Sequence, residues 1–356
     1  MKAYRLFAWK TPPRLVEVPV PEPGFGEVLL KVGGNGICQS DLHLMDDWEA
    51  SPPHLDVQLP MTIGHEIGGW VAVCGPGVTG LETGQPCVVT LAGCGRCRYC
   101  AAGWNNYCPH LGKQPGMGLD GGLAEYVLAP AAGIVPLDTL EPWQAAPLTD
   151  AGLSAYHAVR RVLPLLAPAA TAVVIGIGGL GHLAVMILQA VGAAEIIAVD
   201  RSPAALELAG ELGADHLVPA DADTEAAIRD LARDGGVEVV LDFVGSGDTV
   251  GLAARVIRPL GQIVVVGRGP GSFAFRDRAL PYGAGLSTTF GGSKLELMDL
   301  VALAERGRLR PRISRYPLSR VAAAYERLRR GEVVGRAVIV PEGHDGAGTG
   351  GEGEPQ

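Results

Sequence analysis

An excess of positive charge is missing from this chain, whose 356 residues carry a formal net charge of -9. Binding to nucleic acid or to an anionic membrane needs a basic surface, so neither partner is expected. A secretory signal is also missing: MKAYRLFAWKTPPR at the start has no apolar run and no small-residue cleavage site. Unbroken apolar segments are missing as well. No Asp, Glu, Lys or Arg occurs between Arg161 and Glu195, long enough to suggest a transmembrane helix. Pro164, Pro168 and the glycines of GIGGLG interrupt it, so it reads as a buried strand, a tight turn and a buried helix. A cytoplasmic protein is expected. Its seven cysteines are an odd number, and a reducing compartment disfavours disulfides. Internal repeats are absent.

What is present is length enough for two domains with full cores. The first 150 residues are rich in Gly and Pro, with short Val-rich runs such as EVLLKV and GGWVAVCG, a pattern of many strands and tight turns. From about residue 170 the texture alternates. AVVIGIG reads as a strand, GLGHLAVMILQAVG as a helix, EIIAVD as a strand and SPAALELAGELGA as a helix. VEVVLDFVG, DTVGLAARVIRPLG and QIVVVG continue the alternation. Such alternation predicts a parallel sheet covered on both faces, a doubly wound α/β domain over residues 154–288. SKLELMDLVALAERGRL and LSRVAAAYERLRRG then read as helices and RAVIV as a strand. They are expected to return to the first domain, making it discontinuous: residues 1–153 and 289–341. EGHDGAGTGGEGEPQ, residues 342–356, reads as a disordered tail.

Four of the seven cysteines fall in GCGRCRYCAAGWNNYC. Cys94, Cys97, Cys100 and Cys108 follow C-x2-C-x2-C-x7-C, a spacing that lets thiolates converge on one ion from a compact lobe, residues 93–109. Zinc is the default for four thiolates, and an iron–sulfur cluster is the rival. Four thiolates leave no open position, so this site folds a loop and catalyses nothing. Ligand-type residues recur in GICQSDLH (Cys38, Ser40, Asp41, His43), in GHEIGG (His65, Glu66) and in APLTDAGLSAYHAV (Asp150). Each has an ordinary explanation: a small core cysteine, a polar surface pair, a helix N-cap. Spacing alone does not join them into one site.

Residues 172–181, AVVIGIGGLG, place G-x-G-x-x-G at Gly176, Gly178 and Gly181, with Gly179 and Leu180 in the same turn. The motif follows a strand, opens a helix and is answered by Asp200 at the end of EIIAVD, the context a dinucleotide fingerprint requires. Glycines let the backbone approach a pyrophosphate, and the helix N-terminus favours its charge. Asp200 should accept hydrogen bonds from the adenosine ribose and repel a 2′-phosphate, favouring NAD over NADP. Arg201 beside it pulls the other way.

GICQSDLH, GHEIGG, the four-cysteine lobe, GIGGLG and the closing GRAVIVP occur in an order that resembles the zinc-dependent medium-chain alcohol dehydrogenases. The resemblance is closest to bacterial NAD-dependent secondary-alcohol dehydrogenases with Asp as third zinc ligand. It implies a GroES-like, mainly β catalytic domain beside a Rossmann domain, two zinc ions per chain, and a homo-oligomer, dimer or tetramer. It also implies that Cys38, His65 and Asp150 bind a catalytic zinc, with Glu66 next to it and Asp41 holding the far nitrogen of His65. Ser40 would bond the substrate oxygen, and His43 would be the outer member of a proton relay. Val244, Gly245 and Gly267 would lie near the nicotinamide half, and Arg336 would bind the pyrophosphate. Many members have His or Arg where this chain has Gln39. The activity implied is hydride transfer between NAD(H) and small or medium hydrophobic alcohols, ketones or aldehydes. The alternatives are a polyol or amino-alcohol dehydrogenase, a zinc-free quinone or enoyl reductase, and an NAD-binding structural or sensor protein.

Overall fold

Two large sheets organise the computed structural model, which describes residues 1–51, 55–192, 194–232 and 236–342. The first sheet is mainly antiparallel. Its early strands are β1 (Glu27–Gly36), β2 (Glu66–Cys74), β3 (Pro86–Val89), β4 (Tyr126–Pro130) and β5 (Ile134–Pro136). They run in the order β5-β3-β2-β1, with β4 also on β1. Val28, Leu30 and Val32 share one face of β1 through the two-residue period of a strand. They close on Ile67, Val71, Val127 and Ile134 as one apolar cluster.

Helix α1 (Ala151–Val162) leads into the second sheet. This sheet is parallel throughout and consists of β6 (Thr171–Ile175), β7 (Glu195–Asp200), β8 (His216–Pro219), β9 (Val237–Asp242), β10 (Ile257–Val265) and β11 (Gly285–Thr288). The strand order is β8-β7-β6-β9-β10-β11. Helices α2 (Gly181–Val191), α3 (Pro203–Glu211), α4 (Thr224–Leu231) and α5 (Gly247–Val256) are the crossovers. All five residues of β6 are buried, because helices cover both faces of a parallel sheet. The order reverses between β6 and β9, the Rossmann arrangement. Helix α5 is shorter than DTVGLAARVIRPLG suggests. It stops at Val256, and Ile257 starts β10, since Pro259 supplies no N–H and cannot continue a helix. The charge-free stretch after Arg161 becomes β6, the glycine turn and the largely buried α2. No helix among the described residues is long and apolar enough to cross a membrane.

Beyond β11 come α6 (Lys294–Glu305), β12 (Ile313–Pro317), α7 (Val321–Arg329) and β13 (Arg336–Val340). β13 pairs with β12 and lies antiparallel to β1, so the chain's end completes the first sheet. Helix α7 adds Val321, Ala324 and Tyr325 to a core containing Leu6, Ile37 and Leu44. Helix α6 behaves differently: Leu297, Leu300, Val301 and Ala304 join a cluster with α1 and α2 residues such as Leu153, Tyr156 and Leu183. The division expected after residue 153 falls inside α1. Of the tail, only Glu342 is described, and its Oε1 accepts the Ser319 N–H at 2.8 Å; residues 343–356 lie outside the described residues.

Candidate active site

GICQSDLH leaves β1 and enters a short helix, Gln39–Leu42, followed by a wider turn, His43–Asp47. Asp41 fixes this corner. Its Oδ2 accepts the Cys38 N–H at 3.0 Å, one half of a capping box. The Tyr325 hydroxyl on α7 donates to the same oxygen at 2.9 Å. Oδ1 lies 2.9 Å from His65 Nδ1. These neighbours compensate a carboxylate that is 1% exposed. Asp41 thus faces the Nδ1 edge of the imidazole at ion-pair distance, and Nε2 turns to the pocket.

Around Nε2 the fold gathers what the sequence kept apart. Ser40 Oγ is 3.1 Å from it and Asp150 Oδ2 is 3.5 Å from it. Cys38 Sγ lies 3.5 Å from Asp150 Oδ2. Ligand atoms of Cys38, His65, Glu66 and Asp150 all lie within 4.8 Å of one another. Asp150 occupies the N-cap of α1, yet its side chain makes no capping hydrogen bond. It is turned into the pocket instead.

The electrostatics are those of a site short of positive charge. Burial alone would lower the His65 pKa, but Asp41, Asp150 and Cys38 outweigh it and hold it well above its ordinary value. Burial would raise Asp150, and His65 holds it below the usual carboxylate range. Glu66 is fully buried and ion-pairs with Arg336. Burial pushes its carboxyl up to about 7 against the pull of Arg336. Its Oε2 has no partner among the described residues. An orphaned, buried carboxylate oxygen beside a thiol, an imidazole and a second carboxylate is relieved by a cation. The S, N and O donors suit zinc.

His43 stands on the outer side of the corner, half-exposed, with Nδ1 2.5 Å from Asp47 Oδ2. Sequence reasoning missed Asp47, although its place four residues after His43 puts it on the same face of a helical turn. Tyr325 was missed too, and no local signal points to it. Gln39 is exposed.

Sγ atoms of Cys94, Cys97, Cys100 and Cys108 also fall within 4.8 Å of one another. Backbone N–H groups of Cys94 and His110 donate to Cys108 Sγ at 3.4 and 3.3 Å, and that of Cys100 to Cys97 Sγ at 3.5 Å. Backbone donors from Arg96 and Cys97 draw the Cys94 pKa down to about 6. Desolvation pushes the Cys100 thiol the other way, up to about 12; it is the convergence of four sulfurs that fits a closed zinc site.

Between β6 and α2, Gly176 has φ +86°. A Cβ on Gly181 would stand 1.9 Å from Gly176 O, so only glycine lets α2 start this close to the strand. Gly178, Gly179 and Leu180 form the turn between them. Gly178 O accepts the Nδ1–H of His182 at 2.8 Å, a partner not foreseen. Asp200 ends β7; its Oδ2 accepts Ile177 N–H at 2.6 Å and its Oδ1 accepts Ser202 N–H at 2.8 Å. Arg201 beside it is exposed. Val244 Cγ2 packs over Gly176, and Gly245, at φ +70°, packs on Gly267 O. These groups share the C-terminal ends of β6, β7, β9 and β10, where open α/β sheets bind dinucleotides. Arg336 is no surface arginine of an edge strand. It is 3% exposed, with Nη1 against Gly179 and Nη2 on Glu66, and so joins the glycine turn to the metal-type pocket.

The model for the zinc-binding dehydrogenase family matches residues 179–305, and that for the alcohol dehydrogenase GroES-like domain matches residues 24–139. An NAD-dependent alcohol dehydrogenase of Sulfurisphaera tokodaii is 34% identical over 357 residues, 96% of this chain and 100% of the relative. A D-arabinose 1-dehydrogenase (NADP(+)) of Saccharolobus solfataricus is 34% identical over 347 residues, 96% of this chain and 97% of the relative. The crystal structure of an alcohol dehydrogenase from Aeropyrum pernix matches with a TM-score of 0.88 and 35% identity, covering 96% of this chain and 100% of that one. Relatives that match along nearly their whole length, and domain models that match in chain order, lead to one assignment: this chain belongs to the zinc-dependent medium-chain alcohol dehydrogenases.

Proposed function

We propose that this NAD-dependent zinc alcohol dehydrogenase acts on hydrophobic alcohols, chiefly secondary ones, and on the matching ketones or aldehydes. The observation that carries the reading is Asp150: it leaves its helix uncapped to face Cys38 and His65. In this reading Cys38, His65 and Asp150 hold a catalytic zinc with Glu66 beside it, and Cys94, Cys97, Cys100 and Cys108 hold a structural one. When bound, zinc would supply Lewis acidity toward the alcohol oxygen and NAD would supply the hydride acceptor. Ser40 takes the proton from the substrate oxygen, and His43, oriented by Asp47, passes it outward. Asp41 holds the far nitrogen of His65. Gly176, Gly178, Gly179, Leu180 and Gly181 cradle the pyrophosphate with Arg336; Asp200 takes the adenosine ribose, with Arg201 at its edge; Val244, Gly245 and Gly267 take the nicotinamide half. Residues 1–153 and 289–341 form the catalytic domain and 154–288 the NAD domain.

The loop beyond His43 supplies Trp48, which packs on Trp9 with ring centroids 6.0 Å apart, but also acids, so it does not decide between apolar and polar substrates. The relative named D-arabinose 1-dehydrogenase keeps a polyol substrate as the second reading. Support for a homo-oligomer comes from β11, which ends its sheet, with Leu260, Tyr282 and Leu286 exposed there. A cytoplasmic setting agrees with seven free cysteines.

One assay tests the whole reading: NADH oxidation with a panel of ketones, aldehydes, sugars and quinones, with and without a chelator, and metal content on the same sample. Chelator-sensitive reduction of apolar ketones with two zinc ions per chain is expected. A sugar as best substrate establishes the second reading, and chelator-resistant quinone reduction overturns both.

A further inference from the structure

Helix α1 presents Asp150 to the pocket from an end without a side-chain cap, so contacts further along the helix add to its placement. Two turns on, at i+7 and therefore on nearly the same face, stands His157, which is fully buried. Its Nδ1 lies 2.9 and 3.0 Å from the two carboxylate oxygens of Glu296 on α6. A carboxylate only accepts, so Nδ1 donates and Nε2 is left as an acceptor. Nε2 is met by the Tyr107 hydroxyl at 2.8 Å. Tyr107 belongs to the four-cysteine lobe, one residue before Cys108. Glu296 is in turn fixed by the Ser293 N–H at 2.8 Å.

The same lobe bonds to the mainly β body and to the segment that leads into α6. Asn105 Nδ2 donates to Leu91 O at 2.8 Å, just beyond β3, while its Oδ1 accepts the Lys294 N–H at 2.8 Å, at the start of α6. Asn106 Nδ2 donates to Phe290 O at 2.9 Å, just past β11. The turn Asn105–Tyr107 thus ties the mainly β body to the helical side, and His157 is where α1 enters that tie. His157 is wholly buried, and its ring nitrogens are taken up by Glu296 and Tyr107.

We infer that His157 is a positioning residue for the Cys38–His65–Asp150 pocket, holding α1, and through it Asp150, against the four-cysteine lobe and α6. This rests on the reading of Asp150 as a metal ligand. A buried imidazole hydrogen-bonded on both edges adds two directional contacts to the apolar packing of α1. The lobe then does more than fold itself: it sets where one donor of the distant pocket stands.

The test uses the zinc-loaded enzyme and His157→Phe, His157→Asn, Tyr107→Phe and Asp150→Asn variants. The readouts are the rate at which a chelator removes pocket zinc, the visible spectrum after cobalt exchange into the pocket, and kcat against KM for NAD. The four-thiolate metal is the internal control. We expect His157→Phe to release pocket zinc at least tenfold faster, to shift the cobalt bands, and to lower kcat with little change in KM for NAD. His157→Asn keeps a donor for Glu296 and should restore part of the loss; Tyr107→Phe should show a loss of about threefold. Should His157→Phe not fold, Tyr107→Phe decides alone. Zinc release within twofold of the parent and an unshifted spectrum in the folded variants overturn the inference while Asp150→Asn still loosens the metal. Equal loss from both metal sites also overturns it, because His157 would then support the fold generally. If Asp150→Asn keeps its pocket metal, the ligand reading fails and the inference falls with it.

Discussion

Asp150 Oδ2 lies 3.5 Å from His65 Nε2, although His65 sits just before β2 and Asp150 just before α1. Cys38 comes from a third place, the exit of β1. The pocket therefore exists only when the exit of β1, the entry of β2 and the start of α1 are assembled. Metal binding there would be tied to folding of distant parts of the chain, whereas the four-cysteine lobe would draw its donors from one short segment.

Asp150→Asn separates capping from ligation. Asn caps a helix as well as Asp does, and Asp150 makes no capping bond to lose. Stability of the helix should therefore hardly change. As a neutral, weaker ligand, Asn should lower zinc occupancy of the pocket and cut turnover by at least a hundredfold. Zinc in the four-cysteine lobe should stay. Metal analysis with steady-state kinetics checks this; a fully active variant with undiminished zinc would remove Asp150 from the pocket.

Cys97→Ser addresses the other site. Cys97 Sγ accepts from Cys100 N–H and lies 3.7 Å from Cys108 Sγ, so one substitution disturbs two contacts and one ligand position. Zinc should fall from two to one per chain, and the midpoint of thermal unfolding should drop by several degrees or more. Turnover per folded molecule should fall less than in Asp150→Asn, and only as far as the loosened Tyr107–His157 contact lets α1 shift. Iron in place of zinc, or a stable variant that has lost hydride transfer, would contradict the division of roles.

His182 predicts a pH dependence of stability. It is fully buried, and burial lowers its pKa to about 4, against about 6.5 in an unfolded chain. Between these values the unfolded state binds the proton and the folded state does not. The contribution is complete above pH 6.5 and is lost as the pH falls toward 4, by roughly 3 kcal/mol in all. Asn at this position does not titrate, yet can still donate to Gly178 O. Between pH 7.5 and 5 the parent's thermal midpoint should fall more than that of His182→Asn. Equal falls would mean that His182 takes up its proton without unfolding.

Much of this was legible in the sequence, for reasons that particular residues show. The parallel sheet was readable because its strands are apolar on both faces, as TAVVI is, and because glycine is sterically required at Gly176 and Gly181. The thiolate lobe was readable because its donors are local. The pocket was not readable from spacing: Cys38, His65 and Asp150 each had an ordinary explanation, and only family resemblance joined them. Contacts across the fold left no trace at all. Tyr325 on Asp41 and Glu296 on His157 are 284 and 139 residues from their partners. The end of α5 was misjudged because VIRPL is apolar enough to extend a helix until Pro259 is weighed.

Asp200→Gly tests cofactor choice, and the structure changes what to expect of it. The carboxylate stands at the end of β7, where an adenosine ribose would lie, and a 2′-phosphate there would meet a like charge. Removing it lifts that repulsion and leaves the exposed Arg201 free to meet a phosphate. Asp200 also holds the Ile177 and Ser202 N–H groups at 2.6 and 2.8 Å, so glycine at this position loosens the turn for both cofactors. The shared loss should appear as a rise in KM for NAD and NADP alike; the specific effect is the ratio of their kcat/KM values. The parent should favour NAD strongly, and the variant's ratio should move toward NADP by roughly ten- to a thousandfold, the range one charged contact commands. Asp200→Asn refines the test, since its side-chain oxygen can keep one backbone bond without the charge. It should move the ratio in the same direction with less of the shared loss. If both variants weakened both cofactors equally, the carboxylate would serve only to hold the turn. If the parent already preferred NADP, Arg201 would be the residue that decides.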